Sequence, residues 1–187
     1  MADVQPRIPR QPAQELPEQA IHRADSDATL SAELAAVVAG ARRRAVRDGD
    51  RQIDTAHLLH SLLESDAEVR AVFGDGPRIA RLLGYLVQRS IGYGLRWQSA
   101  VEDSAGVPVA VQAAGFSPLA AGCMAYAHER AAHQGRGPAC GTDLLAAIVV
   151  NPRARAVEVL RRAGIDPCEL FDRLAVRAGA PPGESSR

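Results

Sequence analysis

IDTAHLLHSLLES, residues Ile53 to Ser65, and CGTDLLAAIVVNP, residues Cys140 to Pro152, read alike. Each opens on polar residues, passes a threonine and runs into apolar residues at helical spacing. The first carries Leu58, Leu59, Leu62 and Leu63, and the second Leu144, Leu145, Ile148 and Val149. Steps of three and four place such residues on one face of a helix. Thr55 and Thr142 stand where a capping hydroxyl would serve the free amides of the first turn. One amphipathic unit written twice points to an all-α, duplicated fold.

The same reading extends outward. Ser31 is placed as the N-cap of a helix with Leu34, Val37, Val38, Ala41 and Ala45 on one stripe, ending at Asp48-Gly49. After the Thr55 helix come a short helix with Val69, Val72 and Phe73, and a fourth opened by Gly76-Pro77 with Ile79, Leu82, Leu83, Leu86 and Val87. The series restarts at Phe116. Ser117-Pro118 opens a long helix ending near Gly135, and Thr142 caps the next. Asn151-Pro152 opens one with Val157, Val159 and Leu160, and Asp166-Pro167 opens the last with Leu170, Phe171 and Leu174.

At an offset of 86 residues Ser31 falls on Ser117, Ala35 on Ala121, Ala45 on Ala131, Gly49 on Gly135, Leu58 on Leu144 and Leu59 on Leu145. Matching the two threonines needs an offset of 87, so the register at that helix stays open. Neither four-helix unit can bury much core alone. The expectation is two four-helix repeats packed as one pseudo-twofold helical domain. It spans 29–178, with repeat one at 30–91, a connector at 92–115 and repeat two at 116–177. The polar stretches 1–28 and 179–187 read as disordered tails, and the connector holds Trp97 and an extended VPVAVQ.

Composition narrows the chemistry. The 22 basic and 22 acidic residues balance, which argues against a broad nucleic-acid surface. Every basic residue is arginine. A phosphate-binding loop of the Walker type, a Schiff-base lysine and a Ser-x-x-Lys nucleophile are therefore excluded. Aromatics are only 4%, and alanine, leucine and valine dominate, as suits helices packed through small side chains. Cys123, Cys140 and Cys168 read as reduced and mostly buried. No apolar run is long enough to span a bilayer and no signal core opens the chain, so the expectation is a cytoplasmic protein.

Candidate catalytic groups do not assemble. His128 and His133 in HERAAH are five apart, which turns them about 140° from each other on a helix, whereas a zinc-protease pair needs a spacing of four. His57 and His60 can share a face, with Asp54 or Glu64 beside them, but a zinc site needs a further good ligand. The reading is one histidine at a cap and one at the surface. GFSPLAAG lacks the second glycine of a nucleophile elbow. Glu64, Asp66 and Glu68 read as caps and solubilising charge. No enzyme, no metal and no cofactor is expected.

SPLAAGCMAYAHERAAHQG, DTAHLLHSLLES and AVEVLRRAGID, in their order within the repeat, resemble the double repeat of the N-terminal domain of Clp ATPases of the ClpA/ClpC type. The resemblance implies an all-α recognition module that docks adaptors and substrates, here free-standing: an adaptor, a decoy or a regulator of Clp-dependent proteolysis. It implies protein or peptide partners, namely a Clp unfoldase, its adaptors and substrates, and cyclic-peptide antibiotics. In some relatives an acid after the capping threonine receives phosphoarginine. Here Ala56 fills the first such position, and the second is Asp143 or Thr142 according to register. An aromatic before Ser-Pro is typical of the second repeat, and Phe116 supplies it. The candidate partner-binding residues are accordingly Phe116, Ser117, Leu30, Ser31, Thr55, Ala56, Thr142 and Asp143. The alternative is a helical DNA-binding regulator, suggested by Arg42, Arg43 and Arg44 and opposed by the neutral charge.

Overall fold

The computed structural model describes residues 30–74, 76–90, 102 and 115–179. The expected N-terminal tail, the C-terminal tail beyond Gly179, Trp97, VPVAVQ and the rest of the connector apart from Glu102 and Gly115 lie outside the described residues.

Eight helices form among them: α1 Ala32–Asp48, α2 Thr55–Ser65, α3 Ala67–Phe73, α4 Gly76–Ser90, α5 Pro118–His133, α6 Gly141–Val149, α7 Arg155–Arg162 and α8 Pro167–Gly179. The domain is all-α, with two strongly packed helix pairs, α1 on α2 and α5 on α6.

Local chemistry sets most boundaries. Ser31 Oγ accepts from Leu34 N–H at 3.1 Å and Ser117 Oγ from Ala120 N–H at 3.1 Å, so each serine satisfies an amide that the helix leaves free. Pro118 follows as first helical residue. Gly49 and Gly135 close the two helices with φ of 74° and 61°, a region costly for any residue with a Cβ.

Two capping assignments need correction. Asp54, not Thr55, is the N-cap of α2: its Oδ1 accepts from His57 N–H at 2.9 Å, and His57 Nδ1 accepts from Asp54 N–H at 3.1 Å. Cys140, not Thr142, is the N-cap of α6, and Asp143 Oδ2 accepts from Cys140 N–H at 3.1 Å. At α2 a carboxylate is the stronger acceptor for the helix start, and Thr55 is committed elsewhere. The stretch Asn151-Pro152 forms a turn, with Asn151 Oδ1 accepting from Arg153 N–H at 3.1 Å, and α7 begins after Ala154.

The core centres on α2 and α6. Thr55 to Leu63 are all buried in α2, as are Gly141 and Asp143 to Val149 in α6. A helix enclosed on every side has no solvent face to advertise by period. The packing contacts recur in pairs: α2 meets α7 and α6 meets α3; α2 meets α5 and α6 meets α1; α4 meets α7 and α8 meets α3. Arginines close the short helices, Arg173 Nη1 donating to Val72 O at 3.2 Å and Arg70 Nη1 to Glu64 O at 2.9 Å.

Candidate functional site

The helix starts meet at two junctions. At the first, Ile53 and Phe116 form an isolated parallel bridge, with Ile53 N–H donating to Gly115 O and Ser117 N–H to Ile53 O, both at 2.8 Å. At the second, Leu30 and Ala139 form another, with Ser31 N–H donating to Ala139 O at 3.0 Å. Each bridge joins the entry to a long helix of one half to the entry of the central helix of the other.

The first junction holds a buried polar cluster. Glu102, 5% exposed, accepts from four donors: Thr55 N–H at 2.9 Å and Ser117 Oγ–H at 2.9 Å on Oε2, and Arg155 N–H at 2.8 Å and the Thr55 hydroxyl on Oε1. Thr55 Oγ1 in turn accepts from Ala156 N–H at 3.1 Å. Beside it the Arg155 guanidinium donates to Asp54 Oδ2 at 2.7 Å. The network ties α2, α5 and α7 to one residue of the connector.

His57 sits against this cluster. Its Nε2 lies 3.2 Å from Asp50 Oδ2 and 3.6 Å from Asp48 Oδ2, and its Nδ1 3.0 Å from Asp54 Oδ1. Among the described residues, Asp50, Asp54 and His57 are the group that could hold a metal ion. Asp54 is engaged on both oxygens, by the His57 amide and by Arg155.

The candidate partner residues divide by accessibility. Phe116, Ser117, Thr55 and Ala56 come together at the first junction and are buried there, Phe116 at 7% exposed. Phe116 is thus a packing residue beside Ile53, not an exposed anchor. Leu30, Ser31 and Thr142 are half-buried at the second junction. Asp143 is buried and faces two guanidiniums, Arg130 Nε at 3.4 Å and Arg136 Nη2 in closer contact. The two capping positions, Asp54 and Cys140, differ by 86 residues, as do Ile53 and Ala139. That register sets Ala56 against Thr142 and His57 against Asp143.

Other expectations are revised. His60 is buried, not at the surface, and burial together with Arg44 pushes its pKa down to about 4. Burial works against ionisation of Glu64, but hydrogen bonding and charge from Arg44 outweigh it and hold that carboxyl below its ordinary value. That pairing draws Arg44 out of the Arg42–Arg44 run. Of the cysteines only Cys123 is buried, which pushes its thiol up to about 12; Cys140 is half-buried and Cys168 exposed. No described helix is long and apolar enough to cross a membrane.

Sequence reasoning missed Glu102 and Arg155. Neither lies in a periodic stretch with a motif, and both act across long sequence separations. No sequence signal marked them: the helix start at Ala154, an N-cap with no acceptor of its own, lies beyond the Asn151-Pro152 start that the sequence indicates. Compared with protein-family models and with curated proteins, the chain finds no match in either.

Proposed function

We propose that the chain is a non-enzymatic protein- and peptide-binding module of the Clp N-domain kind, built from two four-helix repeats about a pseudo-twofold axis. The observation that carries this reading is reciprocity. The bridge of residues 30 and 139 becomes that of 116 and 53 when each partner is moved by 86 residues and the halves are exchanged. The same exchange maps the α2–α7 packing onto α6–α3 and the α4–α7 packing onto α8–α3. These relations match the order of the Clp-like motifs in the sequence.

Binding is favoured over chemistry because the buried titratable groups at the junctions are consumed by caps and ion pairs. Asp143 is held by two arginines, and Asp54 by Arg155 and its own capping box. In the register set by the caps, neither helix start carries the acid that receives phosphoarginine in relatives: Ala56 and Thr142 occupy those places. Partners would then be read by apolar and polar contact at the half-buried second junction, through Leu30, Ser31 and Thr142.

The test is calorimetric titration of the folded protein with a Clp unfoldase, one of its adaptors and an N-domain-targeting cyclic peptide. Binding to at least one, weakened at least about tenfold by Thr142→Arg, is the expected result. Absence of binding to all three sinks the reading. Retention on duplex DNA that fades with salt would favour the regulator instead.

A further inference from the structure

We infer that His57, Asp50 and Asp48 form a site for a divalent transition-metal ion, zinc being the best match, where the end of α1 meets the start of α2. The inference rests on the correspondence between the halves drawn above and on no partner. Its test and the peptide titration can therefore fail separately.

The ligand atoms converge on one nitrogen. His57 Nε2 lies 3.2 Å from Asp50 Oδ2 and 3.6 Å from Asp48 Oδ2. Metal bonds of about 2.0–2.2 Å in a tetrahedron set neighbouring ligand atoms roughly 3.3–3.6 Å apart. The two spacings suit an ion that replaces the Nε2 proton. Asp50, Asp54 and His57 also offer ligand atoms within 4.8 Å of one another. Asp54 is already held by the His57 amide and by Arg155, which leaves it to orient the ring, its Oδ1 lying 3.0 Å from Nδ1. When the ion takes Nε2, the imidazole stays neutral by carrying its proton on Nδ1, toward Asp54 Oδ1, and the Asp54 amide gives up Nδ1 as acceptor. An imidazole beside carboxylates favours zinc over magnesium or calcium, which prefer oxygen throughout. The Asp50 side chain is 26% exposed and gives a path in from solvent to the buried His57.

The second half supplies the independent observation. At the offset of 86, Asp48, Asp54 and His57 correspond to Gln134, Cys140 and Asp143. There those three residues surround a cation, the Arg136 guanidinium. Its Nε donates to Gln134 Oε1 at 2.9 Å and its Nη1 to Cys140 Sγ at 3.3 Å, while Nη2 is in close contact with Asp143. Arg136 itself corresponds to Asp50. The first half thus keeps a ring of acceptors, and the residue that brings the cation in the second half is here one more acid. A metal ion takes the place of the guanidinium.

The experiment uses the full chain carrying Cys168→Ser and His133→Gln, which removes two exposed zinc-binding side chains. After dialysis against a chelator it is titrated calorimetrically with zinc chloride. One ion should bind per chain and raise the melting temperature. Asp50→Asn in the same background should weaken binding at least about tenfold, and Asp50→Arg, which copies the second half, should abolish it. Both changes fall on a partly exposed loop residue, and melting curves taken in chelator check that each variant folds. In nitrogen-15 spectra of the zinc-loaded chain the His57 ring should carry its proton on Nδ1. No saturable zinc binding overturns the site. Zinc binding unchanged by Asp50→Asn places the ion elsewhere and overturns it too, as does a His57 proton that stays on Nε2. Magnesium or calcium binding as tightly as zinc overturns the imidazole ligand.

Discussion

His60 should make the fold acid-sensitive in a window that carboxylates alone would not produce. It lies within α2, 4% exposed, and Arg44 and Arg47 disfavour its charged form while Glu64 and Asp48 favour it. Burial is the largest cause, and the pKa falls from 6.5 to about 4. The unfolded chain then binds a proton between those values that the native chain does not, so stability falls as pH drops through the window. For a group with these two values the loss from pH 7 is about 2 kcal/mol by pH 5 and nears 3 kcal/mol by pH 4. Urea unfolding of wild type and His60→Gln at pH 7, 6, 5 and 4.5 measures it. The difference between the two curves should change by about 2 kcal/mol between pH 7 and 5, the variant being less acid-sensitive. Parallel curves would refute the assignment, since Asp and Glu titration is common to both proteins.

Four further outcomes follow from packing and exposure. Leu145→Ala, at a fully buried position of α6, should cost about 2–5 kcal/mol in chemical denaturation, and a cost below about 1 kcal/mol would deny that α6 is central. Gly141→Ala places a methyl on the Asp66 carboxylate and should destabilise by about 1–3 kcal/mol, while Gly84→Ala, in a helix with no neighbour near its Cβ, should stabilise by about 0.5–1 kcal/mol; both are read by thermal melting. In the native protein a thiol reagent should label Cys168 first and spare Cys123 until denaturant is added, as mass spectrometry of digests would show.

The parts of this fold that were legible in the sequence are those fixed within a few residues. Ser31, Ser117, Gly49 and Gly135 act as local rules require, and Leu58, Leu59, Leu62 and Leu63 are buried as their spacing indicates. Thr55 was misjudged because a capping motif says that an oxygen is needed, not which of two neighbours supplies it, and Thr142 because α6 starts two residues earlier, at Cys140, which carries no side-chain oxygen to signal a cap. His60 was misjudged because a one-sided leucine stripe predicts an opposite wet face. That face is instead covered, as α1, α3, α4, α5, α6 and α7 all pack on α2. Cys168 follows Pro167 in the first turn of α8, and its position there, turned to solvent, depends on how that helix lies on α6. Glu102 was out of reach altogether, since its partners are set by topology.

The two junctions answer one physical demand in different ways. A helix start inside a protein must find acceptors for its amides. α3 meets the demand with Asp66, its own N-cap, at a distance of three residues or fewer. α7 meets it with a residue 53 positions away, and this brings a connector residue into the core. Each charge-assisted hydrogen bond contributes about 1.5–3 kcal/mol, set against the desolvation of a buried carboxylate and the ordering of its chain. The first junction is consequently sealed: Thr55, Ala56, Phe116 and Ser117 are all buried. The second keeps Leu30, Ser31, Cys140 and Thr142 half-exposed. One join is thus closed over its helix starts, while the other leaves its own half-exposed. Restoring a cap to α7 by Ala154→Asp should therefore weaken the dependence on Glu102. In that background Glu102→Ala should lower the melting temperature by less than it does alone, and an undiminished loss would show that Glu102 does more than serve the start of α7.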